Sequence, residues 1–163
     1  MQTIHITLDL AEIIYDIQNK TYLTGKSRHD GTNHEQVANM QANDDDECAN
    51  QILRSISSAF NNLKTKLAEY LVTMTVNGDN SPLTADGSLA FTLSMPSNYN
   101  NATVDTIASA AHQYIVSSAV AEWFAITCKS DTTQYTDLAD VCLKIISEAI
   151  NRRKRPVRKT KPD

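Results

Sequence analysis

The sequence predicts a mainly α fold: a four-helix bundle-like domain with a β-hairpin inserted between the second and third helices, and an extended basic C-terminal arm. Apolar residues recur at helical spacing in four stretches of the chain. Two further runs alternate apolar and polar residues, as half-buried strands do. Seven of the fifteen Lys and Arg residues lie in the last thirteen positions. At 163 residues we expect one domain, over 1–150, and an arm over 151–163.

The first helix is predicted from about Asp9 to Tyr22, after an alternating stretch, TIHITL, that suits a short strand or an extended arm. Asp9 is a suitable N-cap, and the helix ends near Gly25. Its apolar residues at helical spacing are Leu10, Ile13, Ile14 and Ile17. Residues 26–43 are polar and lack a clear period, so we interpret them as a long loop that is mobile or contacts a partner.

The second helix is the clearest in the sequence and covers the stretch DDDECANQILRSISSAFNNLKTKLAEYL. One apolar stripe runs along it. Its members are Cys48, Ile52, Ile56, Ala59, Phe60, Leu63, Leu67 and Tyr70. The four acidic residues 44–47 lie in its first turn, where the helix dipole favours negative charge.

A β-hairpin is predicted over residues 71–95 from two alternating runs, VTMTV and LAFTLSM. The twelve residues between them, NGDNSPLTADGS, are rich in turn formers and predict a long tip. A lone hairpin is marginally stable, so its apolar face must pack on the helices or pair with another strand.

The third helix is predicted over about Thr103–Thr127, and its many Ala and Ser residues indicate close approach of another backbone. Trp123 and Phe124, near its end, suit core packing or, alternatively, a subunit or partner contact. The fourth helix is predicted to begin at a capping box, Asp131–Gln134. We expect Arg152–Arg155 to finish it and Pro156 to stop it.

Charge is distributed unevenly along the chain. Residues 1–150 hold eight basic and eighteen acidic residues, 8 − 18 = −10, and residues 151–163 hold seven and one, 7 − 1 = +6. An acidic body repels DNA, whereas the arm attracts DNA or an acidic protein surface. We expect no signal peptide, since the start of the chain has no basic residue and no long apolar run. We expect no membrane span, since the charge-free stretch Thr106–Ala121, rich in Ser and Ala, is shorter than the roughly 20 apolar residues that a spanning helix needs. Three dispersed cysteines favour a reduced cytosolic setting.

The sequence contains no recognised catalytic motif, and we expect no enzyme, no metal site and no cofactor. The loop residues His29, Asp30, His34 and Glu35 match no zinc or calcium spacing. Cys128 and His112 are conceivable as a nucleophile and base. However, sixteen residues of one helix separate them by about 24 Å. A divergent enzyme that uses Cys128 or the loop histidines is a remaining alternative.

The basic arm has three interpretations. It is a solvated terminus, a nucleic-acid clamp that releases counterions from phosphate, or a docking peptide for an acidic partner. Pro156 and Pro162 favour an extended conformation beyond the fourth helix. The sequence does not contain a helix-turn-helix, zinc-finger or RNA-binding signature, so a sequence-specific regulator is disfavoured.

Three stretches together resemble the head–tail connector (adaptor) proteins of tailed bacteriophages, of the type found in phages and prophages of Bacteroides-like bacteria. They are the opening TIHITLDLAEIIYDIQNKTYLTGKS, the AEWFAIT of the third helix, and a Tyr135-led helix that ends in RRKRPVR. The resemblance covers the ends of the chain better than the middle, and the predicted hairpin goes beyond the minimal helical connector.

The resemblance implies a structural virion protein without catalytic chemistry, at the head–tail junction of a particle assembled in the host cytoplasm. About a dozen copies would form a homo-oligomeric ring under the portal protein and extend the channel for genomic DNA. The long loop and the hairpin tip, Asn77–Ser88, would contact neighbours or a tail or neck protein. The arm, Asn151–Lys161, would dock on the portal. Its portal-binding residues would be Arg152, Arg153, Lys154, Arg155, Pro156, Val157, Arg158 and Lys159.

Overall fold

Helices make up most of the fold, which confirms the predicted mainly α class. The computed structural model describes residues 1–73 and 77–158. In chain order these residues form β1 (Gln2–Asp9), α1 (Leu10–Ser27), α2 (His34–Met40), α3 (Asp46–Lys66), β2 (Ser88–Met95), a 3-10 turn (Asn101–Thr103), α4 (Val104–Thr127) and α5 (Lys129–Ile150). The four predicted helices correspond to α1, α3, α4 and α5, and α2 is an additional helix.

The central element is α4, which is buried around most of its circumference. It packs most extensively on α5 and also contacts α1, α2, α3 and β1. Small residues such as Ala110, Ala111 and Ala119 are buried along it, which lets neighbouring backbones approach closely, as its composition predicted. Near its end, the ring of Phe124 packs against Tyr135 of α5, with centroids 5.4 Å apart.

The predicted hairpin omitted the main partner of β2, which is the N-terminal strand. β1 and β2 are antiparallel, with Ile4 opposite Leu93 and Leu8 opposite Leu89. Of the predicted first strand, Val72 and Thr73 are not in a strand, and residues 74–76 lie outside the described residues. A single bridge, Leu71 to Leu93, occupies the other edge of β2. β1 offers β2 eight residues with alternating burial. In the described residues, the other edge of β2 has that bridge, with hydrogen bonds from the Val72 amide to the Thr92 carbonyl at 2.9 Å and from the Ser94 amide to the Tyr70 carbonyl at 2.7 Å.

Residues 26–43, interpreted from the sequence as a long loop, contain α2. This helix is held by its C-terminal end, where the buried Trp123 indole Nε1 donates a hydrogen bond of 2.8 Å to the Met40 carbonyl. The amide of Ala42 donates to the Thr21 hydroxyl at 3.1 Å. A helix of seven residues is too short to establish a helical period, so α2 was not evident from the sequence.

Acidic residues lie at the starts of both α3 and α5. At α3, the side chain of Asp45 accepts a hydrogen bond from the Cys48 amide at 3.0 Å, so one of the four acidic residues caps the helix. At α5 the predicted capping box is wrong, because the helix begins at Lys129 and Asp131 lies within its first turn. Asp131 is buried and forms an ion pair with Arg28. That pairing raises the pKa of Arg28, chiefly through the hydrogen bond to Asp131.

Candidate functional site

The basic segment begins where α5 ends, and α5 ends earlier than predicted. Its last helical residue is Ile150, so the expectation that Arg152–Arg155 finish the helix is wrong. Both the amide and the side-chain amide of Asn151 donate to the Ser147 carbonyl, at 3.2 and 2.8 Å. The Arg153 guanidinium donates to the Ile150 carbonyl at 2.7 Å. These donors satisfy carbonyls that the helix end leaves free, so Arg153 supports the terminus from outside the helix.

Beyond Asn151 the backbone runs extended along the loop that joins β2 to α4. The amide of Asn100 donates to the Arg152 carbonyl at 3.2 Å, and the amide of Lys154 donates to the Asn98 carbonyl at 2.7 Å. Tyr99 and Arg153 form an antiparallel bridge between these two bonds. The base of the arm, Arg152–Lys154, is therefore part of the domain, and removing it would break backbone hydrogen bonds.

Tyr99 connects this pairing to the core. It is fully buried, and its hydroxyl lies 2.8 Å from that of Thr103. The Thr103 hydroxyl in turn lies 3.0 Å from the Asn100 carbonyl and 3.1 Å from the Ala149 carbonyl. A hydroxyl carries a single proton, so Thr103 donates to a carbonyl and accepts from Tyr99. The start of α4, the end of α5 and the base of the arm are thereby fixed together.

The side chains of the basic segment face solvent. Residues 151–158 are all exposed, and Val157 is 90% exposed. The predicted portal-binding residues divide into two parts. Arg152–Lys154 form a base that pairs with the domain, and Arg155–Arg158 form an exposed continuation. Lys159 lies outside the described residues. For Arg155–Arg158, no hydrogen bond to the rest of the described chain is present. The arm thus presents cations to solvent from a fixed base.

Sequence reasoning missed the segment Asn98–Asn100 as the partner of the arm's base. Only one clue was available, a tyrosine among polar residues directly after Pro96 in PSNYNN. Its aromatic ring had to be buried somewhere, but a pairing of two short segments about fifty residues apart has no local periodicity. The position of the basic residues themselves was evident from the sequence.

The residues considered for an alternative catalytic or metal site contact other partners than those hypotheses require. His112 Nε2 lies 2.7 Å from Asp16 Oδ2, whereas Cys128 lies beside Ser130 and Asp131, with Sγ 3.4 Å from Asp131 Oδ2. His29 and His34 contact each other, with Nε2 and Nδ1 2.9 Å apart. Within residues 1–73 and 77–158, no three His, Cys, Asp or Glu side chains converge as metal ligands.

The helices of the described ranges do not combine the length and apolar character that crossing a lipid bilayer requires. Comparison with known proteins found no match among family models, curated proteins or solved structures. The function is therefore inferred from the chain's own residues, and chiefly from the basic segment.

Proposed function

We propose that the protein is a structural head–tail connector of a tailed bacteriophage. In this proposal, a ring of about a dozen copies lies under the portal, joins the capsid to the tail and extends the DNA channel. The observation that carries the proposal is the exposed basic arm, which continues from a backbone pairing with Asn98–Asn100. An arm with a fixed base reaches a partner at lower entropic cost than a wholly free terminus.

The charge distribution supports the same role. The body carries −10 over residues 1–150, and the arm carries +6. Negative channel walls repel phosphate, so genomic DNA would slide past without binding. The arm would bind an acidic groove on the portal through its guanidinium groups, which form charge-assisted hydrogen bonds with carboxylates. This role requires no catalytic residue and no cofactor.

The remaining parts of the body would serve assembly. The four long helices would act as the bundle-like wall of the ring. The region around α2 and the exposed segment that precedes β2, residues 77–82, would contact neighbouring copies or a tail or neck protein. The protein would occupy the head–tail junction of the virion after assembly in the host cytoplasm.

The test is binding of the portal protein encoded with it, measured by co-sedimentation with and without the arm. The deletion should start at Pro156, because Arg152–Lys154 belong to the folded domain. We expect the shortened chain to keep its circular dichroism spectrum and lose portal binding. The double variant K64A/K66A, which removes two cations from α3 instead, should bind normally. Full binding by the shortened chain would contradict the proposal.

The second candidate function is a non-specific nucleic-acid clamp, and it is favoured by the exposed guanidinium and ammonium groups of residues 152–158. A clamp predicts affinity for DNA or RNA that falls steeply with salt, with a logarithmic slope of about −0.9 per phosphate neutralised on duplex DNA. The acidic body opposes this candidate. Absence of binding at low salt would exclude it.

A further inference from the structure

One edge of the two-stranded sheet has no strand beside it in the described part of the chain. β1 pairs with β2 along one side, and residues 1–73 and 77–158 place no strand or bridge on its other side. β1 is eight residues long, pairs with β2 without a bulge and contains no Lys, Arg or Pro. Natural proteins commonly use such residues, or a bulge, to keep an exposed edge from pairing. The edge of β1 is therefore suited to accept another strand.

The hydrogen bonds of β2 determine which backbone groups of β1 face this edge. The Ser94 amide donates to the Tyr70 carbonyl on the far side of β2, so the backbone groups of Ser94 point away from β1. These groups alternate in direction along a strand, so those of Leu93 point towards β1. Ile4 lies opposite Leu93 and points back towards β2. The even-numbered residues of β1 thus bond to β2, and the odd-numbered ones face the open edge.

The odd-numbered residues in the middle of the strand are Thr3, His5 and Thr7. Their side chains are exposed. Among the described residues, none makes a hydrogen bond to the backbone amide or carbonyl of these three. Each therefore offers one donor and one acceptor to a strand that approaches from outside.

The sequence of this edge is a palindrome. Residues 3–7 read TIHIT, which is the same in both directions, with His5 at the centre. In an antiparallel pair the two strands run in opposite directions, so a second copy of TIHIT centred on His5 places each residue opposite an identical type. Thr3 faces Thr7 of the second copy, and His5 faces His5. Each pair of outward residues exchanges two backbone hydrogen bonds, so all three donors and acceptors of both copies are satisfied.

The side chains agree with the same register. Ile4 and Ile6 are buried beneath the sheet of their own copy, so each would lie opposite the other on the apolar face of the joined sheet. The exposed face would carry two Thr–Thr pairs on either side of the His5 pair. β-Branched and Thr–Thr cross-strand pairs stabilise antiparallel sheets. The palindrome carries no Lys, Arg, Asp or Glu, so no like charges of these residues oppose each other.

We propose that two copies of the protein pair edge to edge through β1, antiparallel and centred on His5. The product is a four-stranded sheet of order β2–β1–β1–β2, with helices of both copies against its apolar face. The contact is two-fold and closes at two copies. Neighbours in the proposed ring are related by a cyclic rotation, so the inference goes beyond the proposed function and concerns the free protein.

A charge exchange at residue 5 tests the proposal, because this side chain lies opposite its own counterpart. In sedimentation velocity, we expect the wild type to dimerise with rising concentration. H5K alone and H5E alone oppose like charges and should each weaken the dimer by about fivefold. An equimolar mixture of the two should form a heterodimer at least as stable as the wild-type dimer. The matched control is A90K, on the exposed face of β2 and away from the contact, which should dimerise like the wild type.

Four results would overturn the proposal. They are a wild type that stays monomeric at every concentration, charged variants that each dimerise like the wild type, a mixture that stays monomeric, and an A90K chain that dimerises as weakly as H5K. Circular dichroism of each variant checks that it is folded.

Hydrogen exchange in the wild type tests the register without any substitution. In the dimer, the amides of Thr3, His5 and Thr7 are hydrogen-bonded and should exchange slowly, whereas dilution to the monomer should make them exchange rapidly. The amides of Ile4 and Ile6 bond to β2 and should stay protected in both states. Rapid exchange at the three outward amides in a sample that sediments as a dimer would refute the pairing.

This test is separate from that of the proposed function. The chain that ends at Arg155 retains β1, so it should dimerise like the full chain. Loss of portal binding with normal dimerisation would concern the arm alone. Failure of the charge exchange with normal portal binding would refute the strand pairing and leave the docking role standing.

Discussion

Trp123 of α4 is connected to the C-terminal end of α2 by a hydrogen bond. The sequence offered two interpretations of Trp123 and Phe124, core packing or a partner contact, and both side chains are buried within the chain. Residue type and helical position were enough to expect burial. The partner of the indole, the Met40 carbonyl, could not be expected, because it lies at the end of a helix that the sequence did not predict.

We expect W123F to lower the free energy of unfolding by about 1–3 kcal/mol, since the buried Met40 carbonyl would lose its donor. Urea denaturation followed by circular dichroism measures the change. The matched control is I126A on the same helix, whose side chain is mostly exposed and which should change stability by about 0.5 kcal/mol or less. Equal stability of W123F and the wild type would contradict the hydrogen bond.

Asp45, the N-cap of α3, contributes to stability in a way that depends on pH. Hydrogen bonds from Cys48, first from its thiol and then from its amide, lower the pKa of Asp45 below 3.8. Because the folded pKa is the lower one, Asp45 stabilises the fold above its unfolded pKa, and this contribution is lost as the pH falls through the folded value.

D45A should therefore melt below the wild type at neutral pH, and the gap should narrow as the pH falls below about 4. D45N is the matched control, since Asn is an equally good N-cap but does not titrate. Its melting temperature should follow the wild type at neutral pH. A gap between D45A and wild type that is constant from pH 7 to pH 2.5 would contradict this account.

At the scale of elements, local patterns were predictable and long-range pairings were not. The span of α4, Val104–Thr127, matches the predicted helix within one residue, and Asp9 caps α1 as predicted. By contrast, β1 pairs with β2 across more than seventy intervening residues. The alternation in each strand was visible in the sequence, but alternation identifies a strand without identifying its partner. LAFTLSM lies next to the alternating run VTMTV in the sequence, yet over its whole length it pairs with the distant strand β1.

The pairing of β1 with β2 makes Ile6 a core residue rather than part of a free arm. Ile6 is almost fully buried, opposite Phe91. I6A should lower the free energy of unfolding by about 2–5 kcal/mol in chemical denaturation. T7A, on the exposed face of the same strand, should cost far less. A small effect of I6A would indicate that β1 does not pack on the domain.

At the scale of the whole molecule, the separation of charge was fully evident from the sequence. The numbers of acidic and basic residues along the chain define an acidic body and a basic C-terminal segment. This separation predicts an arm that binds a partner. The place where the arm leaves the domain was not predictable, because it depends on the pairing of Arg152–Lys154 with Asn98–Asn100. A deletion of the arm should therefore begin after Lys154. A chain cut at Asn151 would lose the backbone hydrogen bonds between the base of the arm and Asn98–Asn100.

The central claim is that the exposed part of the arm attaches a ring of this protein to the portal. Electron microscopy of the purified portal mixed with the protein tests it most directly. The account predicts an additional ring of about twelve copies on one face of the portal with the full chain. It predicts none with the chain that ends at Arg155. A portal that stays bare with the full chain, or a ring that forms equally well without residues 156–163, would contradict the claim.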